Sequence, residues 1–221
     1  MTHLPDPIAR RADCAETARS WLEQRPIYLD TETTGTGDYD QICEIAVIGP
    51  DGETIVDELV QPTRAIPQSA TDVHGISDAD VEDAPSMADL EPELEEVLLD
   101  NPCCIYNADF DCRLLRQSAS SGWLLDWPDD PSRVSCVMEL AARWHGDWSS
   151  SHQSYTWISQ EDAAHELGID ISSIVGVSTS ADADLHRARA DAELCRRILH
   201  ALADYAAADD GTTAAEDPDP S

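Results

Sequence analysis

The 221-residue chain contains no lysine, and its thirteen basic residues are all arginine. Forty-five acidic residues give it a formal net charge of −32 at pH 7. A basic face is the usual electrostatic footprint of a nucleic-acid-binding protein, and the sequence contains no basic run. Any contact with nucleic acid would therefore depend on individual arginines and on metal ions.

The chain also lacks the sequence features of export and of membrane insertion. No apolar run approaches the length of a membrane span, and the N-terminal segment has no apolar stretch of the signal-peptide type. The seven cysteines are scattered and form no C-x-x-C pair, which indicates reduced, mostly buried thiols. These absences favour a cytoplasmic protein that makes no membrane contact.

The acidic residues run through the whole chain and are not confined to a tail. Self-repulsion of this size opposes a compact state at low salt. At about 1 M salt the Debye length falls to ~3 Å, and most of the repulsion is screened. The composition is therefore typical of an extreme halophile with a salty cytoplasm, and the alternative is an acidic protein from an ordinary cell.

The pattern of apolar and turn-forming residues predicts one α/β domain. A helix is expected over residues 5–24, with these residues facing the body: Ile8, Ala12, Ala15, Trp21 and Leu22. Three strands follow, in IYLDTET and on both sides of the Pro-Asp-Gly turn, and two more alternate with helices, at CCIYN and RVSC. We therefore predict a mixed five-stranded sheet, three antiparallel strands then two parallel, flanked by helices. The predicted organisation is a helical extension (1–25), the main domain (26–206) and a disordered acidic tail (207–221).

Two carboxylates lie on the first predicted strand. Successive side chains alternate faces along a strand, so Asp30 and Glu32 project from the same side. Adjacent carboxylates are costly unless a positive charge sits between them, and hard oxygen ligands favour Mg²⁺ or Mn²⁺. The alternative, two solvated acids on an exposed strand, fits poorly with the apolar residues 27–29 that precede them.

Three further features occur in order along the chain: LDTETTG, YNADFDCRLL and HRARADAEL. Together they resemble the three motifs of the DEDDh (DnaQ-like) 3′→5′ exonucleases, the superfamily of the epsilon proofreading subunit of DNA polymerase III, ribonuclease T and oligoribonuclease. The segment VHGISDADVEDAP, between the first two motifs, is also similar to the epsilon pattern. The resemblance spans roughly residues 26–203 and implies a ribonuclease H-like fold.

The resemblance implies a metal-dependent enzyme that removes nucleoside 5′-monophosphates from the 3′ ends of DNA or RNA. Asp30 would bridge two Mg²⁺ (or Mn²⁺) ions, while Glu32 and Asp191 complete the ligands of the first. Asp111 would hold the second ion, and His186 would be the general base. Residues five positions apart do not converge on a regular helix, so His186 is expected on a loop or a frayed first turn, apart from Asp191.

The resemblance also implies residues that contact the substrate. Thr33, Thr34 and Gly35 would bring the backbone close to the 3′-terminal sugar. His74 either borders the pocket for the terminal nucleotide or is held in a turn. Asn107 either positions the second motif or caps the helix that follows.

Some positions leave alternatives open. Asp109 lies beside Asp111, and Asp111 is preferred because Phe110 should face the core. Tyr106 replaces a histidine that is frequent in the second motif. Five of the six tryptophans lie between residues 123 and 157, either to stack on single-stranded bases or to pack under a long loop.

The expected partners are nucleic-acid 3′ ends, bound by a monomer or a homodimer. No polymerase segment is present in the sequence, so proofreading would require a polymerase as a separate partner. The main alternative is a catalytically silent module of the same fold that binds nucleic acid or a polymerase. Competent residues at all five active positions count against it. A third interpretation, an acidic metal-binding or interaction protein, leaves the ordered motifs unexplained.

Overall fold

The computed structural model describes residues 6–127, 133–174 and 187–206. Within these ranges, one sheet is formed by the strands β1 (Ile27–Thr33), β2 (Ile42–Ile48), β3 (Thr54–Leu59), β4 (Cys103–Ile105) and β5 (Val134–Cys136). Their order is β3-β2-β1-β4-β5. β2 runs antiparallel to β1 and β3, whereas β4 runs parallel to β1 and β5. The predicted mixed sheet is therefore confirmed.

The α-helices of the described residues are α1 (Pro7–Leu22), α2 (Gln68–His74), α3 (Met87–Asp100), α4 (Ala108–Ser118), α5 (Gly122–Asp126), α6 (Val137–His145), α7 (Gln160–Glu166) and α8 (Ala188–Ala203). A short strand pair, β6 (Trp148–Ser149) and β7 (Ser154–Tyr155), separates α6 from α7. Capping explains where two helices begin: Ser86 and Asp89 form a capping box before α3, and Ser159 accepts a hydrogen bond from the Asp162 amide in α7. Within the part of the chain that the structure describes, no helix is long and apolar enough to cross a membrane.

The sheet is covered on both faces. On β1, Tyr28 packs into a core cluster with residues of α6 and α8, whereas Ile27 and Leu29 pack on the opposite face with residues of α3 and α4. All seven residues of β2 are buried. A strand covered on both faces favours a continuous apolar run, and β2 has one except at Glu44.

The first helix packs against α6 and α8, but not through all the predicted residues. The expectation for Ile8 was wrong, since 57% of this residue is exposed. Ala15 is buried as predicted, and Cys14 and Ala18 are buried with it. Arg10 is also buried, and its Nη2 lies 3.4 and 3.3 Å from the carbonyl oxygens of Trp144 and His145 at the end of α6. A cation suits this position because the last carbonyls of a helix lack partners within the helix.

The unequal lengths of β1 and β4 create the place where the carboxylates collect. The two strands pair only where Ile27 and Tyr28 lie beside Cys103 and Cys104. β4 ends at Ile105, while β1 continues for several residues. The first turn of α4 therefore lies beside the part of β1 that β4 leaves unpaired.

Candidate active site

Three carboxylates from two distant parts of the sequence meet at one point. Asp30 and Glu32 project from β1, and Asp191 lies in the first turn of α8, which packs on that face of the sheet. One carboxylate oxygen of each residue lies within 4.8 Å of the others. All three residues are partly exposed. The cluster has the donor atoms and the open side that a hard divalent cation requires.

Asp111 approaches the same site from α4. It is 3% exposed, and its Oδ1 accepts a hydrogen bond of 2.7 Å from the hydroxyl of Thr31. Asp109 is exposed to solvent, while Phe110 packs against the core cluster on the face of the sheet that α3 and α4 cover. The geometry thus favours Asp111 over Asp109 as the acid of the second motif, although Asp111 lies outside the tight group formed by the other three carboxylates.

The carboxylates raise one another's pKa values. Burial raises the pKa of Asp30 well above its ordinary value, and the nearby Asp111 and Asp191 charges raise it further. Burial, with the charge of Asp191 next, raises the pKa of Glu32 to about 8. Burial also raises the pKa of Asp191 to about 7, and that of Asp111 to about 7 despite the hydrogen bond from Thr31. Such groups ionise readily only when a cation compensates their charge, so this donor set fits bound metal.

Glu44 is a fifth carboxylate near the site, and the motif-based reasoning missed it. It lies directly opposite Glu32 in the pairing of β1 with β2 and is 2% exposed. Its oxygens accept hydrogen bonds from the guanidinium of Arg187 and from the amide of Ala188, the first residue of α8. The signal in the sequence was a single charged residue within the apolar run ICEIAVI.

The first residues of α7 also lie near the site. Gln160 Nε2 donates a 2.7 Å hydrogen bond to the backbone carbonyl of Asp191. The charge of Glu161 contributes to the raised pKa of Asp191. The hydroxyl of Tyr106 lies 3.0 Å from the carbonyl oxygens of Ile158 and Ser159. Tyr106 therefore anchors the start of α7 from inside the core.

The residues expected to contact the terminal nucleotide lie at the end of β1 and in the loop that follows it. Thr33 and Thr34 are buried, and Asp40 braces the loop by accepting hydrogen bonds from Thr34 Oγ1 at 3.0 Å and from the Gly37 amide at 2.7 Å. A Cβ atom on Gly35 would lie 2.6 Å from Asp40 Oδ2, and its φ is +157°. The loop thus requires glycine at this position.

His74 is held inside the protein. It is 3% exposed, its Nδ1 accepts from the Ile76 amide at 3.0 Å, and its Nε2 lies 3.2 Å from the carbonyl oxygen of Thr33. Nδ1 is the acceptor, so Nε2 carries the proton and donates to Thr33. This geometry favours the interpretation of His74 as a turn residue, one that supports the backbone at Thr33.

Asn107 occupies the N-cap position of α4, but its side chain makes no capping hydrogen bond within the described part of the chain. Helix capping therefore does not account for this residue. His186 lies outside the described residues. α8 begins two residues later, at Ala188, and the role of His186 stays a prediction.

Packing accounts for two of the clustered tryptophans. Trp127 is 3% exposed and its Nε1 donates to the Leu98 carbonyl at 2.9 Å. Trp144 is 8% exposed, and the Arg11 guanidinium lies 4.2 Å from the centre of its ring. Trp157 differs from both because it is 72% exposed.

Comparison with known protein families gives a match over most of the chain. The family model described as Exonuclease (RNase_T) matches residues 27–199. The chain is 35% identical over 203 residues to the uncharacterized exonuclease CP81 of Escherichia phage 186, a match that covers 89% of this chain and 97% of the phage protein.

Polymerase-associated proteins share shorter stretches. The DNA polymerase III subunit epsilon of Buchnera aphidicola is 31% identical over 107 residues, covering 44% of this chain and 46% of that subunit. The PolC-type DNA polymerase III of Thermotoga maritima is 35% identical over 105 residues, which are 46% of this chain but 8% of the polymerase.

Two solved structures share the fold. Exonuclease X in complex with 5′ overhanging duplex DNA superposes with a TM-score of 0.53 at 25% identity, covering 80% of this chain and 89% of the other. Escherichia coli exonuclease I in complex with a dA16 oligonucleotide gives a TM-score of 0.56 at 19% identity, covering 78% of this chain and 39% of the other.

Proposed function

This chain belongs to the DnaQ-like exonuclease family, and we propose that it hydrolyses nucleic acid from 3′ ends to release nucleoside 5′-monophosphates. The convergence of Asp30, Glu32 and Asp191 within 4.8 Å carries the proposal. Asp111 lies beside them with a raised pKa. A site of four carboxylates with one open side suits phosphodiester hydrolysis assisted by two divalent cations.

The four carboxylates divide between two ions in this proposal. Asp30, Glu32 and Asp191 would hold one ion, and Asp30 together with Asp111 would hold the other. Mg²⁺ or Mn²⁺ suits a set of oxygen ligands. When bound, the ions lower the pKa of the attacking water and offset the charge on the leaving 3′-oxygen.

The remaining residues orient the substrate and move the proton. His186 takes a proton from the attacking water, the role that its place in the third motif implies. In this proposal the braced loop of Thr33, Thr34 and Gly35 contacts the sugar of the last nucleotide, and Asn107 contacts the substrate strand. A loop packed against the last sugar would admit a strand end and exclude an internal bond, as exonuclease activity requires.

We propose DNA as the substrate, with RNA as the alternative. DNA polymerase III chains are among the relatives, and the two fold neighbours are described with bound DNA. A polymerase is the corresponding candidate partner. The acidic surface repels any nucleic acid, so the metal ions supply the main electrostatic attraction at the site.

The test uses four substrates in parallel: end-labelled single-stranded DNA, duplex DNA, RNA, and covalently closed circular single-stranded DNA. Each is incubated with Mn²⁺ or Mg²⁺ in molar KCl, and Asp30→Ala serves as the inactive control. We expect a 3′ label to leave first, as a mononucleotide, and the circle to survive. Equal loss of circular and linear DNA, or release from the 5′ end, would overturn the proposal.

A further inference from the structure

Glu44 is a buried carboxylate that faces a second carboxylate across the strand pair. It is 2% exposed and lies opposite Glu32 across the strand pair. Two acids directly opposite one another destabilise an antiparallel pair unless other groups compensate their charge. Glu44 is close enough to the cluster that its charge raises the pKa of Glu32 and Asp191.

The compensating charge comes from the start of α8. Nε of Arg187 lies 2.9 and 3.1 Å from the two oxygens of Glu44, and Nη2 of Arg187 also donates to Oε1. The Ala188 amide donates to Oε2 at 2.9 Å. A carboxylate held by a guanidinium fork and by the first amide of a helix is a strong, directional anchor. Because its oxygens are occupied in this way, Glu44 does not act as a metal ligand.

The same anchor fixes the backbone of a metal ligand. The Asp191 amide donates to the Arg187 carbonyl at 3.1 Å, closing the first turn of α8. Arg187 is thus tied to β2 by its side chain and to Asp191 by its backbone. A second ion pair joins the same turn to β3, between Arg189 and Asp57, but it is longer, at 3.6 Å, and both side chains are over 40% exposed.

We propose that Glu44 and Arg187 are positioning residues that hold the first turn of α8 against the sheet, so that Asp191 meets Asp30 and Glu32 at the distance required for metal binding. This inference rests on the proposed function for its meaning in catalysis. It predicts that Glu44 and Arg187 raise the metal affinity of the carboxylate cluster, which can be measured without any nuclease reaction.

The experiment compares Glu44→Gln with Asp57→Asn. Both substitutions remove one negative charge that faces an arginine at the start of α8, but only the first removes the buried anchor. Mn²⁺ is titrated into each metal-free variant in molar KCl by calorimetry, and the electron paramagnetic resonance spectrum of the bound ion is recorded. We expect Glu44→Gln to bind Mn²⁺ about 10- to 100-fold more weakly, as when outer partners of metal ligands are removed. Asp57→Asn should change the affinity by no more than about twofold, since exposed ion pairs contribute little.

Kinetics separate positioning from general damage. We expect kcat of Glu44→Gln to fall by a similar factor, with KM for a single-stranded oligonucleotide unchanged. Arg187→Lys should weaken Mn²⁺ binding in the same direction, because an ammonium group cannot form the fork. Should Glu44→Gln fail to fold, Arg187→Lys decides the question, since this side chain is 43% exposed.

Wild-type Mn²⁺ affinity in folded Glu44→Gln, or a loss no larger than in Asp57→Asn, would overturn the positioning role. If the wild-type protein binds Mn²⁺ but releases no nucleotide from any substrate, the proposed function fails. The comparison of Mn²⁺ affinities still decides the role of Glu44 in that case.

Discussion

Binding of a divalent cation should release protons from the carboxylate cluster near pH 6. In the metal-free protein the pKa of Glu32 is about 8, and the pKa values of Asp111 and Asp191 are about 7. At pH 6 these three groups are therefore mostly protonated. A carboxylate must ionise to coordinate a cation, so each proton released makes the apparent affinity about tenfold higher per pH unit.

The expected magnitude follows from these values. Between about pH 5.5 and 7, the release of one to three protons should raise the apparent Mn²⁺ affinity by at least tenfold per unit of pH. Above the pKa of Glu32, about 8, these three groups are mostly ionised, and the rise in affinity with pH should become shallower. The sign is fixed by the direction of the pKa shifts, since groups with lowered pKa values would release no protons in this range.

Calorimetric titration of Mn²⁺ in two buffers with different ionisation enthalpies counts the protons directly, at pH 6 and at pH 8.5, in molar KCl. We expect at least one proton per protein at pH 6 and fewer at pH 8.5. Asp30→Ala, which lacks the shared ligand, is the control for heat unrelated to the site. Tight binding at pH 6 without proton release would refute the inference that burial and mutual repulsion raise these pKa values.

Stability, activity, pH dependence and salt dependence each test the site or the charge balance further. Folded metal-free protein holds more protons on the cluster than the unfolded chain does, so its free energy of unfolding should fall as the pH rises from about 4 to about 8; denaturant melts with EDTA test this, and a rise in stability over that window would contradict it. Asp111→Ala should abolish activity while the exposed Asp109→Ala stays within about twofold of wild type, and the reverse result would show that our assignment of the second motif is wrong. Thr31→Val removes a hydrogen bond that lowers the pKa of Asp111, so the acidic limb of the pH–rate profile should move to higher pH, whereas Thr31→Ser should keep the wild-type profile. Finally, the folded fraction, measured by circular dichroism, and the nuclease rate should both rise as KCl is raised into the molar range. Full folding with maximal activity in dilute buffer would refute the halophilic interpretation.

The sheet could be predicted because its signals are local. The Pro-Asp-Gly turn predicted the pairing of β2 with β3, and the apolar runs predicted which segments are strands. The packing of α1 could not be predicted in the same way. Ile8 was expected inside, yet it is 57% exposed while Arg10 is buried, because the end of α6 offers carbonyl oxygens to the guanidinium. The pattern of apolar residues in α1 contains no information about where α6 packs, so the burial of Arg10 could not be predicted from it.

The same distinction between local and tertiary information applies to the candidate site. The sequence by itself determined which acids are available and the family to which their order belongs, since motif order and strand alternation are properties of the chain alone. Only the tertiary structure decided that Asp111 is buried while Asp109 faces solvent, and that Glu44 is bound by Arg187. Those outcomes depend on how β1, α4 and α8 pack together, and electrostatic interactions act through space between residues far apart in the sequence.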